Sequence, residues 1–88
     1  MSDAPLTGPQ IRAARALLKW SAADLAHACA LGLNTIRRAE MLDGATSLTA
    51  ANELTLRRTL EGAGVEFIDE NGGGPGVRLQ KRRSDIGQ

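Results

Sequence analysis

The sequence predicts a mainly α protein: four to five short helices followed by a C-terminal β-hairpin. Three observations carry that expectation. Apolar residues recur at helical spacing between well-formed capping signals. Only Trp20 and Phe67 supply large rings among 88 residues, so the core must be built from Leu, Ile, Val and Ala, which favours close helix packing. At Val65 the period shortens to two, and a glycine-rich connection follows.

The first helix begins at "TGPQ", where Thr7 stands three residues ahead of Gln10 at capping-box spacing and Pro9 falls in the first turn. Ile11, Ala14, Leu17 and Leu18 then mark an inward stripe, with Arg12, Ala16 and Lys19 on the other side. "WSAADLAHAC" opens a second helix with Ser21 as cap, Asp24 as its capping-box partner and a Trp20/Leu25 staple. Leu25, Ala26 and Cys29 are expected inside, and His27 outside with no assisting carboxylate or thiol one turn away.

Gly32 is expected to break this helix and to cap a third one beginning at Leu33. Ile36 and Ala39 face inward, with Met41 or Leu42 extending the buried side, while Leu33, Asn34, Thr35, Arg37 and Arg38 collect on the outward side. "MLDGATS" reads as a loop. Thr49 or Ser47 caps a fourth helix carrying Leu56, Leu60 and Ala63, closed by Gly64; Leu48 and Leu54 fall off its stripe. "VEFI" and "VRLQ" are the hairpin strands across "DENGGGPG", whose glycines form a connection because no helix start follows to make a phosphate cradle. A hairpin of this size must lean on the helices or pair with a second chain. The organisation is therefore a helical unit over residues 1–64, a hairpin over 65–80 that offers a dimerisation element, and a basic disordered tail over 81–88.

A formal charge of +1 says little about partners, so the clusters matter: Arg12, Arg15 and Lys19; Arg37 with Arg38; Arg57 with Arg58; Lys81, Arg82 and Arg83. One cysteine, Cys29, supports neither an internal disulfide nor a multi-thiolate metal site, and suits a small buried hydrophobe in a reducing compartment. The opening "MSDAPLTGPQ" has no signal character, and no apolar run reaches membrane-spanning length. A cytoplasmic protein with no membrane association, no metal and no cofactor is expected. An enzyme is poorly supported, since no His has an orienting carboxylate and no nucleophile elbow is present.

Two short helices across a turn, the second with polar and basic residues outward, form a geometry that lets a helix enter the major groove of duplex DNA. The stretch "IRAARALLKWSAADLAHACALGLNTIRRAE" resembles the helix-turn-helix of the Xre family, the phage-repressor-like transcription regulators. The ending "GAGVEFIDENGGGPGVRL" is similar to that of small bacterial members. The similarity runs from about Thr7 to Leu79 and matches in order at Arg15, Trp20, Ser21, Asp24, Leu25, Ala26, Thr35, Ile36 and Glu40.

The resemblance implies a repressor-like helix-turn-helix DNA-binding domain over residues 1–64, with Leu33 to Leu42 as recognition helix. Leu33, Asn34 and Arg38 then fall at base-edge positions and Arg37 at the groove wall, while Thr35 and the amino end of the second helix, Ser21, Ala22 and Ala23, hold phosphates. It also implies a scaffold ion pair between Arg15 and Glu40. The chain departs from the family pattern at Ala22, where many members have a backbone-contacting glutamine; at Ala30, the usual turn glycine; and at Gly32, the usual Ser or Thr cap. The turn is thus expected to move its flexibility to Gly32. Asn52 and Glu53 stand where apolar residues are common and are expected to loosen the start of the fourth helix.

Two functions stay open at this level. One is a sequence-specific regulator binding double-stranded DNA as a homodimer on two half-sites, joined through the fourth helix or the hairpin. The other is an antitoxin-like or adaptor module whose hairpin adds a strand to a protein partner, with DNA binding secondary.

Overall fold

The computed structural model describes residues 5–80. Four helices, α1 Gly8–Leu18, α2 Ala22–Cys29, α3 Leu33–Met41 and α4 Ala50–Gly62, precede an antiparallel pair, β1 Val65–Ile68 and β2 Gly76–Leu79. The chain is thus mainly helical with a C-terminal hairpin, and no fifth helix occurs among the described residues. The expected tail over 81–88 lies outside them.

Helices α1, α2 and α4 begin where a side chain can satisfy their free amides. Thr7 and Gln10 form the expected box, as do Ser21 and Asp24, and Thr49, rather than Ser47, accepts the Asn52 amide to start α4. Glu53 does not loosen that start: its carboxylate accepts a hydrogen bond from the Thr46 hydroxyl at 3.1 Å, tying α4 to the loop before it. Helix α4 closes through Ala63, with Gly64 following at φ 110°.

Leu6, Ile11, Leu25, Ile36, Leu56, Leu60 and Val65 are fully buried and draw all four helices and β1 into one core. Three residues expected on inward faces lie elsewhere. Leu17 is 38% exposed, because the buried stripe of α1 runs through Gln10, Ile11 and Ala14 with Leu18 packed beside it; Leu17 sits about 120° around the helix from Ile11. Met41 and Leu42 do not extend the buried side of α3. Met41 is 78% exposed, about 140° around the helix from Ile36, and Leu42 is extended chain leaving the helix.

The α2–α3 turn also departs from expectation. The left-handed residue is Ala30 at φ 58°, whose amide bonds back to Ala26 and His27, while Gly32 has an ordinary extended backbone at φ −66°. The turn therefore keeps its left-handed step at the usual position and does not use the freedom of Gly32. Leu31 explains the choice: it packs against the core, and its amide reaches the Ala26 carbonyl at 3.1 Å, so helix closure and apolar burial need the reversal one residue earlier.

The hairpin pairs Val65 with Leu79 and Ile68 with Gly76, β2 beginning one residue earlier than expected at Gly76. It leans on α1 and α4. Val65 and Phe67 are buried, and the Arg57 guanidinium lies 5.3 Å from the centre of the Phe67 ring. Gln10 fastens the loop end of the hairpin to α1. Its Oε1 accepts the Thr7 amide, and its Nε2 donates to the carbonyls of Gly76 at 3.1 Å and Ile68 at 3.4 Å.

Candidate nucleic-acid interface

Helix α3 is held on one side and open on the other. Ile36, Ala39 and Glu40 are buried, and Leu33 packs half-buried against the core. About 100° per residue separates successive side chains, so Asn34 and Arg38 fall opposite them and Arg37 on the flank, and all three are exposed. Leu33 is therefore a supporting residue rather than a fully outward one. Thr35 is half-buried at the edge of the open face.

The inner side of α3 is anchored by charge as well as apolar contact. Arg15 meets Glu40 with two parallel bonds, Nε to Oε2 at 2.7 Å and a terminal nitrogen to Oε1 at 2.8 Å, and its remaining nitrogen donates to the Trp20 carbonyl at 3.0 Å. One guanidinium thus joins α1, the start of α2 and α3. The bonds to Glu40 raise the Arg15 pKa, against the smaller opposing effect of burial.

The carboxyl end of α3 is held by the amino end of α1. Gly8 donates its amide to the Gly44 carbonyl at 3.1 Å, and Arg12 donates to the Glu40 carbonyl. A positive helix end and a guanidinium therefore face the negative end of α3. The approach is so close that a Cβ on Gly8 would lie 2.0 Å from the Leu42 carbonyl oxygen.

Arginines differ in how they are used. Arg12, Arg15, Arg57 and Arg78 each have an intramolecular partner, whereas Arg37, Arg38 and Arg58 have no hydrogen bond or ion pair among the described residues. Asn34 is likewise without one. The two adjacent guanidinium groups and the amide on α3 keep their donors available to a ligand.

At the amino end of α2, Ser21 and Ala23 are exposed and Ala22 packs half-buried against the core. The Ser21 hydroxyl accepts the Asp24 amide, and the Asp24 carboxylate accepts the Ser21 amide, both at 2.9 Å. This leaves the amides of Ala22 and Ala23 as the helix-start donors able to meet an anion. Asp24 places a negative charge beside them, which weakens that attraction. Helix α2 packs directly against α3, so the two groups of candidate residues belong to neighbouring elements.

His27 is exposed. Burial raises the Cys29 thiol pKa, keeping it in the less reactive protonated form. Among the described residues, no group of three or more His, Cys, Asp or Glu side chains is placed to hold a metal ion, and no helix is long and apolar enough to cross a membrane.

Sequence reasoning missed the part played by Gln10. A capping box accepts Glu or Gln equally, but only the amide can also donate, and that difference was the available signal. It missed Gly8 as well, because a close approach between segments distant in sequence leaves no periodic mark.

No protein-family model matches the chain, and no curated protein matches it at a significant level. The fold and site therefore define a small, mainly helical chain with a polar, basic helix face held rigidly from behind.

Proposed function

We propose that this protein is a sequence-specific DNA-binding transcriptional regulator, in which α2 and α3 act as a repressor-like helix-turn-helix and α3 lies in the major groove. The observation that carries this reading is the open face of α3, where Asn34, Arg37 and Arg38 keep unengaged donors while Ile36 and the Arg15–Glu40 pair brace the helix from behind. Arg38 can bind guanine and Asn34 adenine through paired hydrogen bonds. Arg37 and Thr35 flank them at the groove wall, and the Ala22 and Ala23 amides, with Ser21, meet a phosphate. The protein acts as a homodimer on two half-sites about one helical turn apart, since one module this small discriminates poorly among genomic competitors.

The test is selection of bound duplexes from a randomised pool, followed by affinity measurements on the winning sequence. A defined site should emerge, with affinity falling steeply as salt rises. Arg38→Ala should cost roughly 1 to 3 kcal/mol on that site and relax one base position, while Arg37→Ala should weaken binding evenly across sequences. Random recovery would end the proposal.

One observation favours a second reading. Among the described residues the sheet has two strands, so each keeps an outer edge able to receive another strand. An adaptor or antitoxin-like module would use that edge to bind a protein partner, with affinity insensitive to salt and to Arg38→Ala.

A further inference from the structure

On the reading that α3 enters the major groove, we infer that Met41 is the apolar member of its reading surface and selects a thymine through the 5-methyl group. Leu33, the apolar residue at the start of α3, packs half-buried against the core. Met41, at the other end of the helix, is 78% exposed. The remaining large exposed apolar side chains among the described residues, Leu17, Leu42, Leu54 and Leu79, are covered much further, at 38% to 51% exposed.

A single exposed apolar side chain is ordinary on a protein surface. What distinguishes Met41 is its alignment. Seven residues turn an α-helix by nearly two full turns, so Met41 stands about 20° from Asn34 around the axis, and Arg38 stands about 40° from Asn34 on the other side. Asn34, Arg38 and Met41 thus form the crest of the face opposite Ile36. Met41 lies about 10 Å along the axis from Asn34, close to three base-pair steps for a helix lying along the groove.

The chemistry follows from what a thioether lacks. It has no donor for a phosphate, so charge gives it no role at the groove wall. The one apolar feature displayed in the major groove is the thymine methyl, and a flexible, polarisable side chain adapts to it without a fixed hydrogen-bond geometry. Arg38 and Asn34 read donor and acceptor patterns, and Met41 reads the methyl.

The experiment uses the full chain and three proteins: unaltered, Met41→Ala and Arg38→Ala. Each selects from a randomised duplex pool, and affinities are then measured on the selected site with deoxyuridine replacing thymidine one position at a time. The unaltered protein should lose roughly fourfold at one thymine, the effect of a single apolar carbon. Met41→Ala should show no loss at that base and should select sites in which it is relaxed, with an unchanged thermal midpoint because the side chain touches no core. If Met41→Ala keeps the full selected site and the same deoxyuridine penalty, Met41 is not a reader, although Arg38→Ala still alters selection and the DNA-binding reading stands. If the unaltered protein selects no sequence, the reading of α3 fails and the role of Met41 with it.

Discussion

Ala30 holds φ at 58°, a conformation in which the Cβ of an L-residue crowds its own carbonyl at a cost of roughly 1 to 2 kcal/mol. Glycine escapes that crowding but gives up more chain entropy on folding. Ala30→Gly should therefore stabilise the fold by about 1 kcal/mol in urea unfolding, with α2 and α3 unmoved. Gly32 calls for the opposite change. Its φ of −66° suits any residue, a Cβ there would meet only the Thr35 hydroxyl at an ordinary 3.7 Å, and no side chain caps α3. Gly32→Ser should add a few tenths of a kcal/mol by the same measurement. Gly8 tolerates nothing larger, because the atom 2.0 Å from its missing Cβ is a backbone carbonyl that cannot swing aside. Gly8→Ala should destabilise by about 3 kcal/mol, the upper end of overpacking, or shift the end of α3 visibly in amide chemical shifts.

At the scale of elements, the hairpin depends on a side chain outside it. Exposed Glu66 and Arg78 pair across its outer face at 2.8 Å, which lowers the Glu66 pKa, but an exposed pair of this kind contributes little. Val65 and Phe67 supply apolar burial, and Gln10 supplies the bonds at the loop end. Gln10→Glu keeps the capping-box acceptor, removes the donor and turns a carboxylate oxygen toward two carbonyls. The expected cost is about 1 to 3 kcal/mol. It should appear as faster hydrogen exchange in β1 and β2 with the α1 amides protected as before. Equal loosening of both would mean that the loss is spread over the fold rather than confined to the hairpin.

For the whole molecule, the ion pair between Arg15 and Glu40 decides how α3 is presented. Their side chains are 22% and 9% exposed, so removing one partner strands the other in a poorly solvated place. Arg15→Ala should cost about 3 kcal/mol, the lower end for a buried pair given the partial access of Arg15 to solvent. The Arg15→Ala/Glu40→Ala double variant should recover part of that loss, and a double-mutant cycle by denaturant unfolding gives the coupling. Additive losses would mean that the pair acts as two separate packing contributions. Arg15 is thus a cation committed to the fold, unlike the equally basic Arg37 and Arg38.

Local chemistry was legible before any coordinates. Thr7 with Gln10, Ser21 with Asp24, Gly32 ahead of Leu33 and the change of period at Val65 are relations within a few residues, and each acts through the chain's own neighbouring amides or side-chain alternation. Ile36 inward with Asn34, Arg37 and Arg38 outward follows from helical spacing in the same way. The Arg15–Glu40 pair was available only through a family resemblance, since 25 residues separate its members. Leu17 and Met41 lie outside the buried surface because periodicity defines a stripe but not how far neighbouring elements extend to cover it. Ala30, Gly8 and Gln10 took their roles from contacts made after the helices meet: Leu31 seeking the core, α1 abutting the end of α3, the hairpin folding back onto α1. Capping and spacing are short-range energies written along the chain, whereas coverage and close approach depend on distances between segments that exist once the chain has packed.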